Sequence, residues 1–134
     1  DVTRVRKLFR ENAAEYKAKA DAVSQAEIYR NAYAISICHS EGLASPTVVG
    51  AQAANELLDI RGVKASFVLT EYQNKLFFSA RSIDEVNVQV IMERMGGGGH
   101  LNIAGCQLEN TPVEEGIIVL KRTLDKMIEE GEIS

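Results

Sequence analysis

Four consecutive glycines, Gly96 to Gly99, interrupt the chain directly after a segment with helical spacing and directly before His100. Glycine inside a helix or strand lowers stability by roughly 0.5–1 kcal/mol relative to alanine, so such a run is unfavourable within either element. The run therefore predicts the end of a helix and a tight corner between two segments. Consecutive glycines can also turn backbone N–H groups towards an anion such as phosphate. On spacing alone, the corner and the anion site both stay open.

Hydrophobic spacing predicts a strand, a helix and a β-hairpin before this run. Residues 33–38 alternate between large and small side chains, as in a strand whose small face lies against a closely packed neighbour. A Ser-Pro pair predicts a helix over residues 45–60, with the serine as its cap and the proline as its first residue. Two apolar runs, residues 67–70 and 76–80, flank a polar turn and predict the hairpin.

Beyond the hairpin, apolar positions at helical spacing predict a helix over residues 88–95, capped by Asn87 and ended by the glycines. A short strand is expected at residues 106–108. Thr111 as a cap, the proline after it and a glutamate in the capping-box position predict a final helix that ends near Gly131. The order of elements predicts an α/β (α+β) fold, in which helices flank a mixed β-sheet.

The first thirty residues have a different pattern. Residues 2–29 contain neither glycine nor proline, and their apolar side chains recur at roughly helical spacing. We expect a long N-terminal linker helix, either continuous or broken once, of the kind that connects two bodies. The predicted division is a helical linker over residues 1–30 and a domain over residues 31–134. The chain does not begin with methionine, and we expect it to be part of a longer protein.

Composition limits the functions that are open to the chain. A formal net charge of −4, from 15 basic and 19 acidic residues, argues against a nonspecific binder of long nucleic acid, which is usually basic. No apolar run approaches the roughly 20 residues that a membrane span requires. Cys38 and Cys106 lie far apart without a CxxC motif, and we expect two buried thiols.

Two side chains could complete an anion site with the glycines. His100 can donate a hydrogen bond to a phosphate oxygen. Arg81 follows Ser79 at the end of the second hairpin strand, where a guanidinium can bind phosphate through two nitrogens. A buried structural histidine and an exposed surface arginine are the alternatives. With two histidines and no Ser-His-Asp arrangement, the sequence offers no metal site and no nucleophile, so we expect a binding domain.

The segment SARSIDEVNVQVIMERMGGGGHLNIAGCQ resembles the C-terminal domain associated with DHH-family phosphoesterases. That family has a strand ending in Ser-x-Arg-Ser, then a helix and a Gly-Gly-Gly-His-x-x-Ala-Ala-Gly motif. The matching residues are Ser79, Arg81, Ser82, Gly97, Gly98, Gly99, His100, Ala104 and Gly105. Ile103 departs from the motif, since it stands where the family has the first alanine. The flanking sequence is similar to the membrane-anchored bacterial cyclic di-AMP phosphodiesterases.

The resemblance implies a substrate-binding domain of a phosphodiesterase. An upstream DHH domain with two divalent metals, usually manganese, would activate the water that opens cyclic di-AMP to linear pApA. The isolated chain is then expected to be inactive, and the full-length protein to be anchored in the membrane with this domain in the cytoplasm. A homodimer is a further expected assembly. The implied substrate-binding residues are Arg81, Gly97, Gly98, Gly99, His100 and Asn102, with neither a catalytic residue nor a metal ligand in the chain.

Two other functions stay open. The domain could serve a nanoRNase or a single-strand exonuclease of the same superfamily, with a short oligonucleotide in place of the cyclic dinucleotide. It could also be a nucleotide-binding module without a catalytic partner. An Asp-His-His motif upstream of Asp1 would favour an enzyme over such a module.

Overall fold

The computed structural model describes residues 12–84 and 86–134, in which four helices and six strands are present. The helices are α1 (Ala13–Ser24), α2 (Pro46–Leu57), α3 (Val88–Arg94) and α4 (Val113–Glu129). The strands are β1 (Glu27–Tyr29), β2 (Tyr33–Cys38), β3 (Ala65–Tyr72), β4 (Lys75–Ser82), β5 (Gly98–Gly99) and β6 (Ile103–Glu109). No helix in these ranges has the length and hydrophobicity needed to cross a membrane.

The six strands form one mixed sheet in the order β1-β2-β3-β4-β6-β5, which confirms the predicted α/β class. β2 and β3 are parallel, since α2 connects them as a crossover, and the other neighbouring pairs are antiparallel. The predicted hairpin joins β3 to β4. Gln73 and Asn74 form its turn with φ of 53° and 63°, the left-handed conformation that this two-residue loop requires.

Helices α1 and α2 pack on the face of β2 and β3 that carries the small side chains, as the alternation in β2 predicts. Two sheet serines hold these helices in place. Ser36 Oγ donates a hydrogen bond to the carbonyl of Ala22 in α1 at 2.5 Å, and Ser66 Oγ donates to the carbonyl of Ala54 in α2 at 2.6 Å. Both helices therefore lie close against the sheet, and this position leaves the strands beyond β4 without their cover.

Helices α3 and α4 cover the opposite face of the sheet and enclose the larger core. Each fully buried aliphatic or aromatic side chain there stabilises the fold by roughly 1.5–3 kcal/mol. The largest of these side chains are Tyr33, Phe67, Leu69, Leu76, Ile91, Met92, Leu120, Leu124 and Met127. Cys38 and Cys106 are buried and free, as expected.

The N-terminal helix prediction is wrong at its C-terminal end. The helix ends at Ser24, and Glu27–Tyr29 forms an edge strand that pairs with β2. The strand gains backbone partners there, and Tyr29 Oη donates a hydrogen bond to Asp125 on α4 at 2.8 Å. The rest of the predicted helix, residues 2–11, lies outside the described residues. The division of the chain at residue 30 stays a prediction.

Other element ends also differ from the prediction. α2 ends at Leu57 instead of near residue 60, and the side chain of Ser45 makes no capping hydrogen bond. α4 begins one residue later than predicted, because Thr111 Oγ1 donates to the carbonyl of Glu109 at 3.0 Å instead of capping the helix. β6 extends over residues 103–109, since its first three residues also pair with β4.

Candidate functional site

One face of the sheet stays partly exposed beyond the edge of α2. Along β4, Leu76 and Phe78 are buried beneath α4, whereas Phe77, Ser79 and Arg81 point to the other side and are half-buried. The register of β4 with β6 and of β6 with β5 extends this surface towards the sheet edge. We call it the open face, and it consists of Phe77, Ser79, Arg81, Gly98, Ile103, Gly105 and Gln107.

Arg81 lies near the end of β4 on the open face. Its Nη1 donates a hydrogen bond to the carbonyl of Ala80 at 2.8 Å, and no carboxylate among the described residues forms an ion pair with it. Arg30 and Arg94, in contrast, form ion pairs of 2.6–2.9 Å with carboxylates of α4 and the residues after it. Burial lowers the pKa of the Arg81 guanidinium, because removal of water disfavours the charged form. A half-buried cation without a counterion is an effective partner for an anionic ligand.

Three of the four glycines are required by the fold itself. Gly96 ends α3 with φ of 89°, and the N–H of Gly97 donates to the carbonyl of Met92 at 2.8 Å, which closes the helix in a Schellman motif. A Cβ atom on Gly97 would lie 2.1 Å from the carbonyl oxygen of Gly105. Gly99 has φ of 144°, and its Cβ would lie 2.5 Å from the Cα of Ala104. The predicted helix end and close corner are therefore both present.

Gly98 has no such requirement. Its φ lies outside the left-handed region, and a Cβ atom there would meet nothing within 4 Å. It pairs with Gly105 across the ladder, so that two neighbouring positions of the open face lack side chains. Glycine at position 98 therefore leaves open space on this face, which a ligand or another part of the protein can occupy.

The second half of the glycine run, Gly98–Gly99, is the short edge strand β5. The N–H of His100 donates to the carbonyl of Ile103 at 2.7 Å, which makes these residues a hydrogen-bonded pair. In an antiparallel ladder such pairs alternate with pairs that lack hydrogen bonds, so the N–H of Gly99 points away from β6 to the sheet edge. The side chain of His100 is exposed beside this edge. Glycine allows this pairing because β5 and β6 approach without a Cβ between them.

Asn102 holds the turn after His100 against the end of β4. Its side-chain nitrogen donates to Ser82 Oγ at 2.9 Å and to the carbonyl of Asp84 at 3.3 Å. The N–H of Ser82 donates in turn to the carbonyl of Asn102 at 3.1 Å. These bonds assign Asn102 a positioning role in this structure, and its predicted contact with a substrate stays a prediction.

A shallow cavity of about 380 Å³ adjoins the first two glycines of the run, and its lining consists of Phe77, Phe78, Gly96, Gly97, Gly105, Cys106 and Gln107. Burial raises the pKa of the Cys106 thiol to about 12, so this thiol stays protonated at neutral pH and is a poor nucleophile. Within residues 12–84 and 86–134, no three histidine, cysteine, aspartate or glutamate side chains come together in a way that could hold a metal ion.

The structure brings Arg81, strand β5 and His100 to one end of the open face. The sequence analysis named Gly105 and Ile103 as motif positions but missed that both lie in β6 on the open face, because it placed the strand at residues 106–108. The alternation of Ala104, Cys106 and Leu108 with less apolar neighbours was the signal that could have extended β6 to residue 103.

The combination of an arginine at a strand end with a glycine strand and a histidine also has a counterpart among known proteins. A family model described as the DHHA1 domain matches residues 31–130. The chain belongs to the DHHA1 domain family. The predicted resemblance to the domain associated with DHH phosphoesterases is thereby confirmed, and the match covers the whole sheet apart from β1.

Two curated relatives of this DHHA1 domain are cyclic-di-AMP phosphodiesterases. PdeA of Listeria monocytogenes serotype 1/2a is 41% identical over 116 residues, which are 86% of this chain and 18% of the relative. GdpP of Geobacillus thermodenitrificans is 40% identical over 132 residues, which are 98% of this chain and 20% of the relative. The DHHA1 domain described here thus spans about a fifth of the length of these relatives.

A solved structure has the same fold as this DHHA1 domain. An exopolyphosphatase-related protein from Bacteroides fragilis superposes with a TM-score of 0.79 at 22% identity. The superposition covers 95% of this chain and 39% of that chain. At this level of identity the likeness establishes the fold alone.

Proposed function

We propose that this DHHA1 domain is the substrate-binding C-terminal part of a phosphodiesterase that hydrolyses cyclic di-AMP to pApA. Its curated relatives at 40–41% identity are phosphodiesterases named for this substrate. The net charge of −4 suits a small anion held at a local positive site better than a long nucleic acid.

The observation that carries this proposal is Arg81, a half-buried cation without a carboxylate partner among the described residues, at one end of a surface floored by Gly98 and Gly105. A phosphate of the substrate would lie against this glycine floor and accept hydrogen bonds from Arg81. The edge N–H of Gly99 and the exposed His100 are further donors. Each charge-assisted hydrogen bond contributes roughly 1.5–3 kcal/mol.

Bond cleavage is assigned to residues outside this chain. By the family resemblance, the two divalent metals, usually manganese, would be bound by a DHH domain upstream of this chain. Such metals supply an activated water at neutral pH and stabilise charge on the reacting phosphate. We further propose that this domain lies on the cytoplasmic side of a membrane-anchored protein and that the protein functions as a homodimer.

The proposal is tested by comparing substrates. The full-length protein with Mn²⁺ is expected to hydrolyse cyclic di-AMP faster than pApA or longer oligonucleotides, measured by chromatography of the products. The purified 134-residue chain is expected to show no turnover under the same conditions. Faster cleavage of oligonucleotides would instead support a nanoRNase or exonuclease, and turnover by the isolated chain would contradict the location of the metals.

His100→Ala is expected to lower kcat/KM for cyclic di-AMP in the full-length protein by roughly 10-fold to 100-fold, for loss of one charge-assisted hydrogen bond. The melting temperature should be unchanged, because the His100 side chain is exposed. His39→Ala is the matched control. His39 is also exposed and follows β2 at the opposite end of the sheet from Arg81. If His100→Ala lowers kcat/KM for cyclic di-AMP no more than His39→Ala does, His100 is not part of the site.

A further inference from the structure

Three exposed aliphatic residues belong to the segments at the end of the open face that carries Arg81. Ile103 is 56% exposed, Leu101 is 45% exposed and Ile83 is 41% exposed. Ile83 comes two residues after Arg81, and Leu101 comes two residues before Ile103. Single exposed aliphatic residues are common, but three of them in adjoining segments, beside a cation without a carboxylate partner among the described residues, indicate a contact surface.

The register of the sheet fixes the position of Ile103. It is the Cα partner of Arg81 across the β4–β6 ladder, so both side chains project from the same face. The Cβ atoms of directly opposed residues in such a ladder lie roughly 4.5–5.5 Å apart. The next residue of β6 on this face is Gly105, so no side chain of β6 covers Ile103 from that direction. The apolar surface of Ile103 is therefore accessible from the glycine floor.

A positive charge beside an accessible apolar surface matches a ligand that joins an anion to a flat apolar group. A nucleotide has this chemistry. We propose that Ile103, together with Leu101 and Ile83, contacts the face of a nucleobase of the substrate whose phosphate is bound by Arg81. This inference rests on the proposed function, since it places the base relative to that phosphate site. The burial of apolar area supplies the affinity, and the base is recognised by its flat face.

The proposal is tested by titrating the full-length protein in a calorimeter with AMP and with ribose 5-phosphate, which lacks the base. Ile103→Ala is expected to weaken AMP binding by about 4-fold to 15-fold, for the loss of one to two buried methylene equivalents. Binding of ribose 5-phosphate should be unchanged. The same loss is expected for GMP as for AMP, because an aliphatic surface contacts either purine. Ile118→Ala is the matched control, since Ile118 is 48% exposed on α4.

The outcomes separate this inference from the proposed function. Arg81→Ala should weaken AMP and ribose 5-phosphate alike, and a failure to do so would remove the phosphate site. If Ile103→Ala weakens both ligands equally, or neither, the inference on the base is wrong. If Ile103→Ala lowers cyclic di-AMP turnover but leaves AMP binding normal, the inference on the base is also wrong, and Ile103 contacts another domain instead. Circular dichroism checks that each variant is folded.

Discussion

Replacement of Arg81 by alanine is expected to lower kcat/KM for cyclic di-AMP in the full-length protein by roughly 100-fold. The guanidinium has no carboxylate partner in the described residues, so its removal leaves no buried charge unpaired. The loss then reflects one or two charge-assisted hydrogen bonds to the substrate phosphate, each of roughly 1.5–3 kcal/mol. Steady-state kinetics measures the effect, and thermal unfolding should show a melting temperature near that of the unchanged protein.

Two further variants make this result specific. Arg81→Lys keeps the charge but loses the planar fork, and an intermediate loss is expected. Arg122→Ala removes an exposed arginine from α4, which covers the opposite face of the sheet, and should leave kcat/KM unchanged. An Arg81→Ala variant with full activity would show that Arg81 is a surface arginine without a ligand.

Replacement of Gly97 by alanine is expected to destabilise the fold by about 3 kcal/mol, since added atoms in a packed site force backbone shifts. The new Cβ would lie 2.1 Å from the carbonyl oxygen of Gly105 and 2.3 Å from the Cβ of Cys106, and neither neighbour can move freely. For a chain of 134 residues this corresponds to a melting temperature lower by roughly 10 °C. Differential scanning calorimetry measures the change.

Gly98→Ala is the matched comparison one residue away. A Cβ there meets nothing within 4 Å, so the melting temperature should stay the same or rise slightly. Affinity for cyclic di-AMP should fall roughly 10-fold, the usual effect of one added methyl group in a binding site. Unchanged affinity in this variant would mean that the substrate does not lie on the glycine floor. Equal stability of the Gly97 and Gly98 variants would contradict the close approach of β5 to β6.

The elements with strong local patterns could be predicted from the sequence. The hairpin follows from two apolar runs around a polar turn, and α3 follows from its spacing, its Asn87 cap and the glycines after it. The small face of β2 correctly indicated a closely packed neighbour. In each case the determining interactions lie within one element or between adjacent ones, so a short window contains them.

The elements that depend on distant partners were missed. β1 is a strand because its backbone pairs with β2, and β5 is a strand although glycine has a low preference for strands. The candidate site also depends on strands that are distant in the sequence. The motif indicated Arg81 and the glycines, but the pairing of Arg81 with Ile103, and the separate roles of Gly97 and Gly98, depend on the register of β6.

The alternation along β4 has a consequence for how domains of this kind can diverge. Leu76, Phe78 and Ala80 belong to the core, whereas Phe77, Ser79 and Arg81 belong to the open face, so core packing constrains only every second position of this strand. Under the proposed function, substitutions at the odd-numbered positions change ligand preference without disturbing the packing beneath. A lineage can therefore acquire a new substrate through single replacements in β4 and β6 while its core sequence stays under separate constraint.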